Sequence, residues 1–227
     1  MPVGRTHLRA CLPKARVTPK CKPMTPDDII PTYARIAPQW ARLRNRSLME
    51  KRWLDRMLDY TPLHGKRRRI LDLGCGSGRP IASYLMERGA HVTGVDAAVP
   101  MVDLFAANLP HATVHHDDMR GLALGVPFDA ILAWDSFFHL SADDQRAMFA
   151  TFAAHAAPRA ALMFTSGDAA GEAIGKIGTE AVYHASLSPA QYEDCLAKHG
   201  FEVIKYTPND PSCGDHTIWL ARFTGRY

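Results

Sequence analysis

The sequence predicts a doubly wound α/β sheet, and three observations predict it. Short apolar runs alternate with helical patterns along most of the chain, a glycine-rich loop follows the first run, and an acidic residue closes the second. The 227 residues, 47% hydrophobic and 22% charged, suffice to bury a core. No stretch reaches the ~18 consecutive apolar residues of a membrane span, and the first twenty residues lack the apolar run of a signal peptide, so a cytoplasmic location is expected. The five cysteines fall in no disulfide or zinc-ligand spacing, so no metal is expected.

The net charge of +4 is a property of the start of the chain. Of the 27 Lys and Arg, six (Arg5, Arg9, Lys14, Arg16, Lys20, Lys22) lie in residues 1–23 with no acid, leaving 21 against 23 Asp and Glu elsewhere. That segment has no apolar periodicity and reads as a basic disordered tail. The folded domain is expected over 24–227, with a helical lid over 24–62 and an α/β core over 66–227.

Thr25-Pro26-Asp27-Asp28 is a helix start, and Pro31 interrupts or restarts the helix that carries Tyr33, Ile36 and Trp40. Ser47-Leu48-Met49-Glu50 reads as a capping box before the stripe Met49, Trp53, Met57. Residues 69–73 form a buried strand. There follow a helix at 80–88, a strand at 91–96, a helix at 99–108, strands at 112–116 and 128–134, a helix at 142–156 and a strand at 160–165. Residues 166–187 read as an irregular, substrate-facing loop. Ser188-Pro189-Ala190-Gln191 caps a helix that stops at Gly200, before strands near 201–207 and 216–223.

In such sheets ligands bind at the carboxyl ends of the strands. The first strand runs into Asp72-Leu73-Gly74-Cys75-Gly76-Ser77-Gly78, and Asp96 ends the second, where a carboxylate can accept two hydrogen bonds from a ribose diol. A dinucleotide loop wants G-x-G-x-x-G; the third glycine position here is Arg79. The residues instead resemble the class I S-adenosylmethionine (SAM)-dependent methyltransferase family over roughly 24–227. Residues 70–78 (ILDLGCGSG) resemble its first motif, 92–98 (VTGVDAA) its second, 116–120 (HDDMR) its third and 128–140 (FDAILAWDSFFHL) its fourth.

The resemblance implies a single Rossmann-like, seven-stranded sheet with its last strand antiparallel, and SAM as cofactor. Gly74, Gly76 and Gly78, with the Cys75 main chain, would pass beneath the methionine arm, and Asp72 would order the loop or reach the amino group through water. Asp96, followed by Ala97, would hold the ribose, while Asp118, or its neighbour Asp117, with the Met119 N–H would read the adenine. Trp134 and Asp135 would lie below the sulfonium. From the lid, Tyr33 or Trp40 would cover the sulfonium or simply pack the helix on the sheet, and Arg44, Arg46 or Arg79 would pair with the methionine carboxylate. His139, with an ordinary pKa near ~6.5, is the candidate general base, or else orients substrate; Tyr183, His184 and His216 are further rim candidates.

The Asp135-Ser136-Phe137-Phe138 segment lacks the prolines of nucleic-acid N-methylases, and no RNA-binding module is appended, so a small-molecule acceptor and no nucleic-acid or membrane partner are expected. Methyl transfer is the leading reaction, the chain acting as monomer or homodimer. An enzyme that cyclises or cleaves the methionine arm would retain the same motifs, and the basic tail is the one feature favouring RNA.

Overall fold

The computed structural model describes residues 24–225; the tail assigned to 1–23 lies outside the described residues. A one-turn 3-10 helix over Pro26–Asp28 leads into α1 (Ile29–Leu43). Pro31 neither interrupts nor restarts α1, because it falls in the first turn, where a helix has no hydrogen bond for a proline to remove. α2 is Lys51–Tyr60, and then β1 (Arg69–Leu73), α3 (Ile81–Glu87), β2 (His91–Asp96), α4 (Val99–Asn108), β3 (Thr113–His116) and β4 (Phe128–Ala133) follow the expected order. α5 (Ala142–His155) is capped by Ser141, whose side chain accepts from the Asp144 N–H, and runs directly into β5 (Ala156–Ser166).

The expected irregular loop at 166–187 is instead mostly a hairpin of its own, β6 (Gly171–Ile177) and β7 (Glu180–Ser186), paired antiparallel. α6 (Pro189–Lys198) has the expected Ser188–Gln191 capping box, and β8 (Phe201–Asp210) and β9 (His216–Phe223) complete the chain.

The seven-stranded sheet has the order β3-β2-β1-β4-β5-β9-β8. β3, β2, β1, β4 and β5 pair in parallel, while β9 is antiparallel to both β5 and β8 and lies between them. As the resemblance implied, the last strand in sequence is the reversed one.

Alternation within the strands divides the core in two. Ile70, Ala130, Leu132, Met163 and Leu220 face a layer built by α2 and α3 with Phe105 of α4; Leu71, Ile131, Leu162, Phe164 and Trp219 face α5 and α6. α2 therefore departs from the expected lid: Trp53, Leu54, Met57 and Leu58 are buried in the sheet layer. Among the described residues α1, with Pro26 just ahead of it, covers the carboxyl ends of the strands. Its Ile29 and Tyr33 join Val182, Tyr183 and Ala185 in a small apolar cluster, which fixes the hairpin beside the cavity. Among the described residues no helix is long and apolar enough to cross a membrane.

Candidate active site

A cavity opens at the ends of β1, β2 and β4 beneath α1. Of the residues singled out from the sequence as cofactor ligands, Tyr33, Trp40, Arg44, Asp72, Gly74, Cys75, Gly76, Gly78, Asp96, Ala97, Asp118, Met119, Trp134 and Asp135 line it. His139 lines it too.

The β1 loop is held to β2 by the Gly74 and Cys75 N–H groups, both donating to the Val95 carbonyl. Gly74 has φ 71°, and a Cβ there would fall 2.2 Å from the Ser136 side chain, which itself donates to the Leu73 carbonyl at 2.6 Å. At Gly76, with φ 52°, a Cβ would fall 2.9 Å from the Trp40 indole. These glycines admit neighbouring side chains: Gly76 lets the covering helix rest its tryptophan on the loop.

Asp96 is anchored on both sides. One carboxylate oxygen accepts from the Gly76 N–H and the other from the Ala98 N–H, each at 2.9 Å. Burial pushes its carboxyl up, against these two bonds. Asp72 is more isolated: it is 4% exposed, and its carboxyl is pushed up to about 7 by burial first and by the neighbouring Asp96 second, with no hydrogen bond to it from any described side chain or backbone group. Cys75 is buried and its thiol is pushed well up by burial, as befits a packing residue rather than a nucleophile. Asp118 is grasped by Arg120, with guanidinium contacts of 2.6 and 3.0 Å, and those bonds hold its carboxyl below the ordinary range although burial pushes the other way.

Two histidines with opposite shifts lie near the end of β4, His139 in the turn that follows it and His216 at the start of β9. Asp135, at φ 51°, donates its N–H to the Thr165 hydroxyl and takes His216 Nε2 on a carboxylate oxygen at 2.8 Å. His216 Nδ1 meets the Cys213 carbonyl at 2.6 Å, so both ring nitrogens face acceptors. Burial alone would discharge this ring, but Asp135 outweighs it and His216 is held toward imidazolium, stacked 5.3 Å from Trp134. The Trp134 Nε1 is buried without a partner among the described residues.

His139 is the reverse. Its Nδ1 faces the Tyr183 carbonyl at 2.7 Å and its Nε2 the Tyr33 hydroxyl at 2.9 Å. Burial draws its pKa down to about 4, so the ring is neutral. This corrects the expectation of a free base titrating near ~6.5: both nitrogens are occupied and the group is removed from that range.

The arginines also divide. Arg44 reaches the cavity, but its guanidinium is paired with Glu50, which is wholly buried, and it lies 3.9 Å from Asp135. Glu50 thus serves Arg44 in place of the expected capping box, and Glu50 itself is the N-cap of α2. Arg46 is outside the cavity, donating to the Ala41 carbonyl, and Arg79 is an exposed rim residue reaching the Asn108 carbonyl. Tyr183 contributes its backbone to the site, and His184 packs 5.0 Å from the His139 ring. Sequence reasoning missed Ile29 and Ile30 on the cavity wall, whose only signal was apolar spacing. It also missed Arg120 and Glu50, whose partners are set by the fold.

Residues 40–206 match the model of a family described as "Methyltransferase domain". Among curated proteins, the dTDP-4-amino-2,3,4,6-tetradeoxy-D-glucose N,N-dimethyltransferase of Saccharopolyspora spinosa is 31% identical over 91 residues, 39% of this chain and 36% of that protein. The ubiquinone biosynthesis O-methyltransferase of Maricaulis maris (strain MCS10) is 36% identical over 105 residues, 38% of each chain. The chain thus spans little more than a third of the length of these relatives. Among solved structures, SAM-bound CalS10, an amino pentose methyltransferase from Micromonospora echinaspora, superposes with a TM-score of 0.63 at 20% identity, covering 83% of this chain and 95% of that one. The glycopeptide N-methyltransferase MtfA gives 0.62 at 21%, covering 82% and 99%. These two likenesses show the fold.

Proposed function

The chain belongs to the methyltransferase-domain family, and from that premise we propose that it binds SAM in the cavity beneath α1 and catalyses methylation of a small-molecule acceptor. The observation that carries this reading is Asp72. Its buried carboxyl, pushed up to about 7 with no donor from the described residues, borders the cavity. An uncompensated carboxylate of this kind is completed by a cationic donor, and the ammonium of the methionine arm is one.

The remaining residues fit the same group. Asp96 has one lone pair on each oxygen engaged by backbone N–H and others left for the ribose hydroxyls. We assign Asp118, steadied by Arg120, and the Met119 N–H to the adenine edge. Trp40, on the glycine loop, and α1 exclude water from above, and Trp134 and Asp135 form the floor. When bound, SAM supplies a methyl group already activated on a sulfonium, so alignment accounts for most of the rate and the chain's task is positioning. The relatives named above include, by their names, methyltransferases of amino sugars and an O-methyltransferase of ubiquinone biosynthesis; a small N–H or O–H acceptor suits the partly apolar wall of Ile29, Ile30 and Leu140.

Calorimetry tests the reading. SAM and S-adenosylhomocysteine should compete for one site, and Asp96→Ala should weaken SAM by about 30- to 1000-fold, the loss of two charge-assisted hydrogen bonds. Equal affinity in Asp96→Ala and wild type, or tighter binding of NADH than of SAM, would refute it.

A further inference from the structure

Three elements converge on His139: the turn after β4 that carries it, α1 through Tyr33, and β7 through the Tyr183 carbonyl. A carbonyl can only accept, so Nδ1 bears the ring proton and the neutral ring's lone pair lies on Nε2. A tyrosine hydroxyl has one hydrogen, and Tyr33 directs it to that lone pair. Toward the cavity the Tyr33 oxygen is left with lone pairs alone. The titratable groups that face the His139 ring are Tyr33 from α1, His184 from β7 and Asp135 from the end of β4; burial first, then Asp135 and Asp96, resist loss of the Tyr33 proton against the pull of Arg44, so the hydroxyl stays intact.

We propose that Tyr33 is the residue that receives the acceptor, its oxygen taking a hydrogen bond from an N–H or O–H on the atom to be methylated, and that His139 is a positioning residue which fixes the direction of that hydroxyl. The inference rests on the function proposed above and gives it a substrate class. Amines that keep an N–H and alcohols or phenols satisfy the oxygen. Thioethers, tertiary amines and carboxylates set lone pair against lone pair, an unmade bond in a half-buried site. His139 never touches the acceptor, since both of its nitrogens are committed within the protein.

Nitrogen-15 NMR of histidine-labelled protein, free and saturated with S-adenosylhomocysteine, reads the first half of the proposal. At pH 7 the His139 ring should show Nδ1 protonated and Nε2 bare, with the Nε2 signal shifted in Tyr33→Phe. An Nε2–H tautomer or an imidazolium would overturn the proposal, since the Tyr33 hydrogen would then be free to point into the cavity. The second half uses phenol and anisole, alike in shape but differing in the O–H, titrated into the S-adenosylhomocysteine complex. Wild type should prefer phenol by roughly two- to tenfold, the worth of one neutral hydrogen bond. The preference should vanish in Tyr33→Phe and His139→Leu and return in His139→Gln, whose amide oxygen can take the same hydroxyl proton. An equal preference in all four proteins, or no response of the His139 ring to either probe, would overturn it. If S-adenosylhomocysteine does not bind wild type, the SAM-dependent function falls, and the free protein's ring nitrogens still decide the hydroxyl's direction.

Discussion

Replacing Asp72 by Asn should remove most of one pH dependence from the stability of the ligand-free protein. The carboxyl sits at 4% exposure with its pKa pushed up to about 7, against about 3.9 in an unfolded chain. The folded state therefore holds this proton more tightly than the unfolded state does. The stabilisation it gives is fully present below about pH 4 and is lost as pH rises through about 7. Over that range the difference amounts to about 4 kcal/mol, and between pH 5 and pH 8 to about 2.5 kcal/mol. Urea unfolding at both pH values, in wild type and Asp72→Asn, reads this group together with Asp96 and Cys75, which are coupled to it, because titrations uncoupled to Asp72 cancel in the comparison. Wild type should lose about 2.5 kcal/mol more than the variant on going from pH 5 to pH 8. SAM affinity should move oppositely, rising with pH up to about 7 in wild type as the carboxylate becomes available to an ammonium, and staying flat and weak in Asp72→Asn. Parallel pH dependences in the two proteins, for stability or for SAM, would refute the reasoning.

Arg44→Leu should cost about 3–5 kcal/mol, because it strands Glu50, which has no exposed surface, while Arg44→Leu with Glu50→Leu should recover most of the loss; thermal denaturation of the three variants checks this. Gly76→Ala, at φ 52° and against Trp40, should weaken SAM at least tenfold in calorimetry, and Trp40→Ala in the same chain should restore part of the affinity. His216→Gln removes a ring held toward its charged form by Asp135. Wild type should accordingly carry stability that is present below the ordinary imidazole range and lost as pH rises through the raised value, and the variant's unfolding should lack that decline.

What the sequence made legible was local. Strand–helix alternation, the Asp72–Gly78 loop and Asp96 at the end of β2 each lie within a few residues of their cause, and the structure brings all of them to one cavity. The hairpin was not legible, because Gly171, Gly175 and Gly178 dilute the two-residue alternation of β6 and its turn. Glu50 carried a true capping pattern that lost to burial beside Arg44, a competition fixed by tertiary packing. His139 shows the limit most plainly. The partners that set its charge lie 106 and 44 residues away, Tyr33 on α1 and the Tyr183 carbonyl on β7, so an ordinary imidazole pKa was the natural reading of the sequence and the structure replaces it.

The opposed histidines make turnover a chemical readout of the acceptor. Burial draws His139 down to about 4, while the Asp135 carboxylate raises His216 from its ordinary value. With SAM saturating, the ammonium proposed to sit beside Asp72 would hold that carboxyl ionised as well. Between about pH 4 and the ordinary imidazole value neither ring changes charge, and a break in the rate within that interval points to another group, the incoming nucleophile first among them. An aromatic amine ionises several units below an aliphatic amine or a phenol, which share one range, so the position of that break, followed across a library of compounds, separates aromatic amines from the other two classes of acceptor.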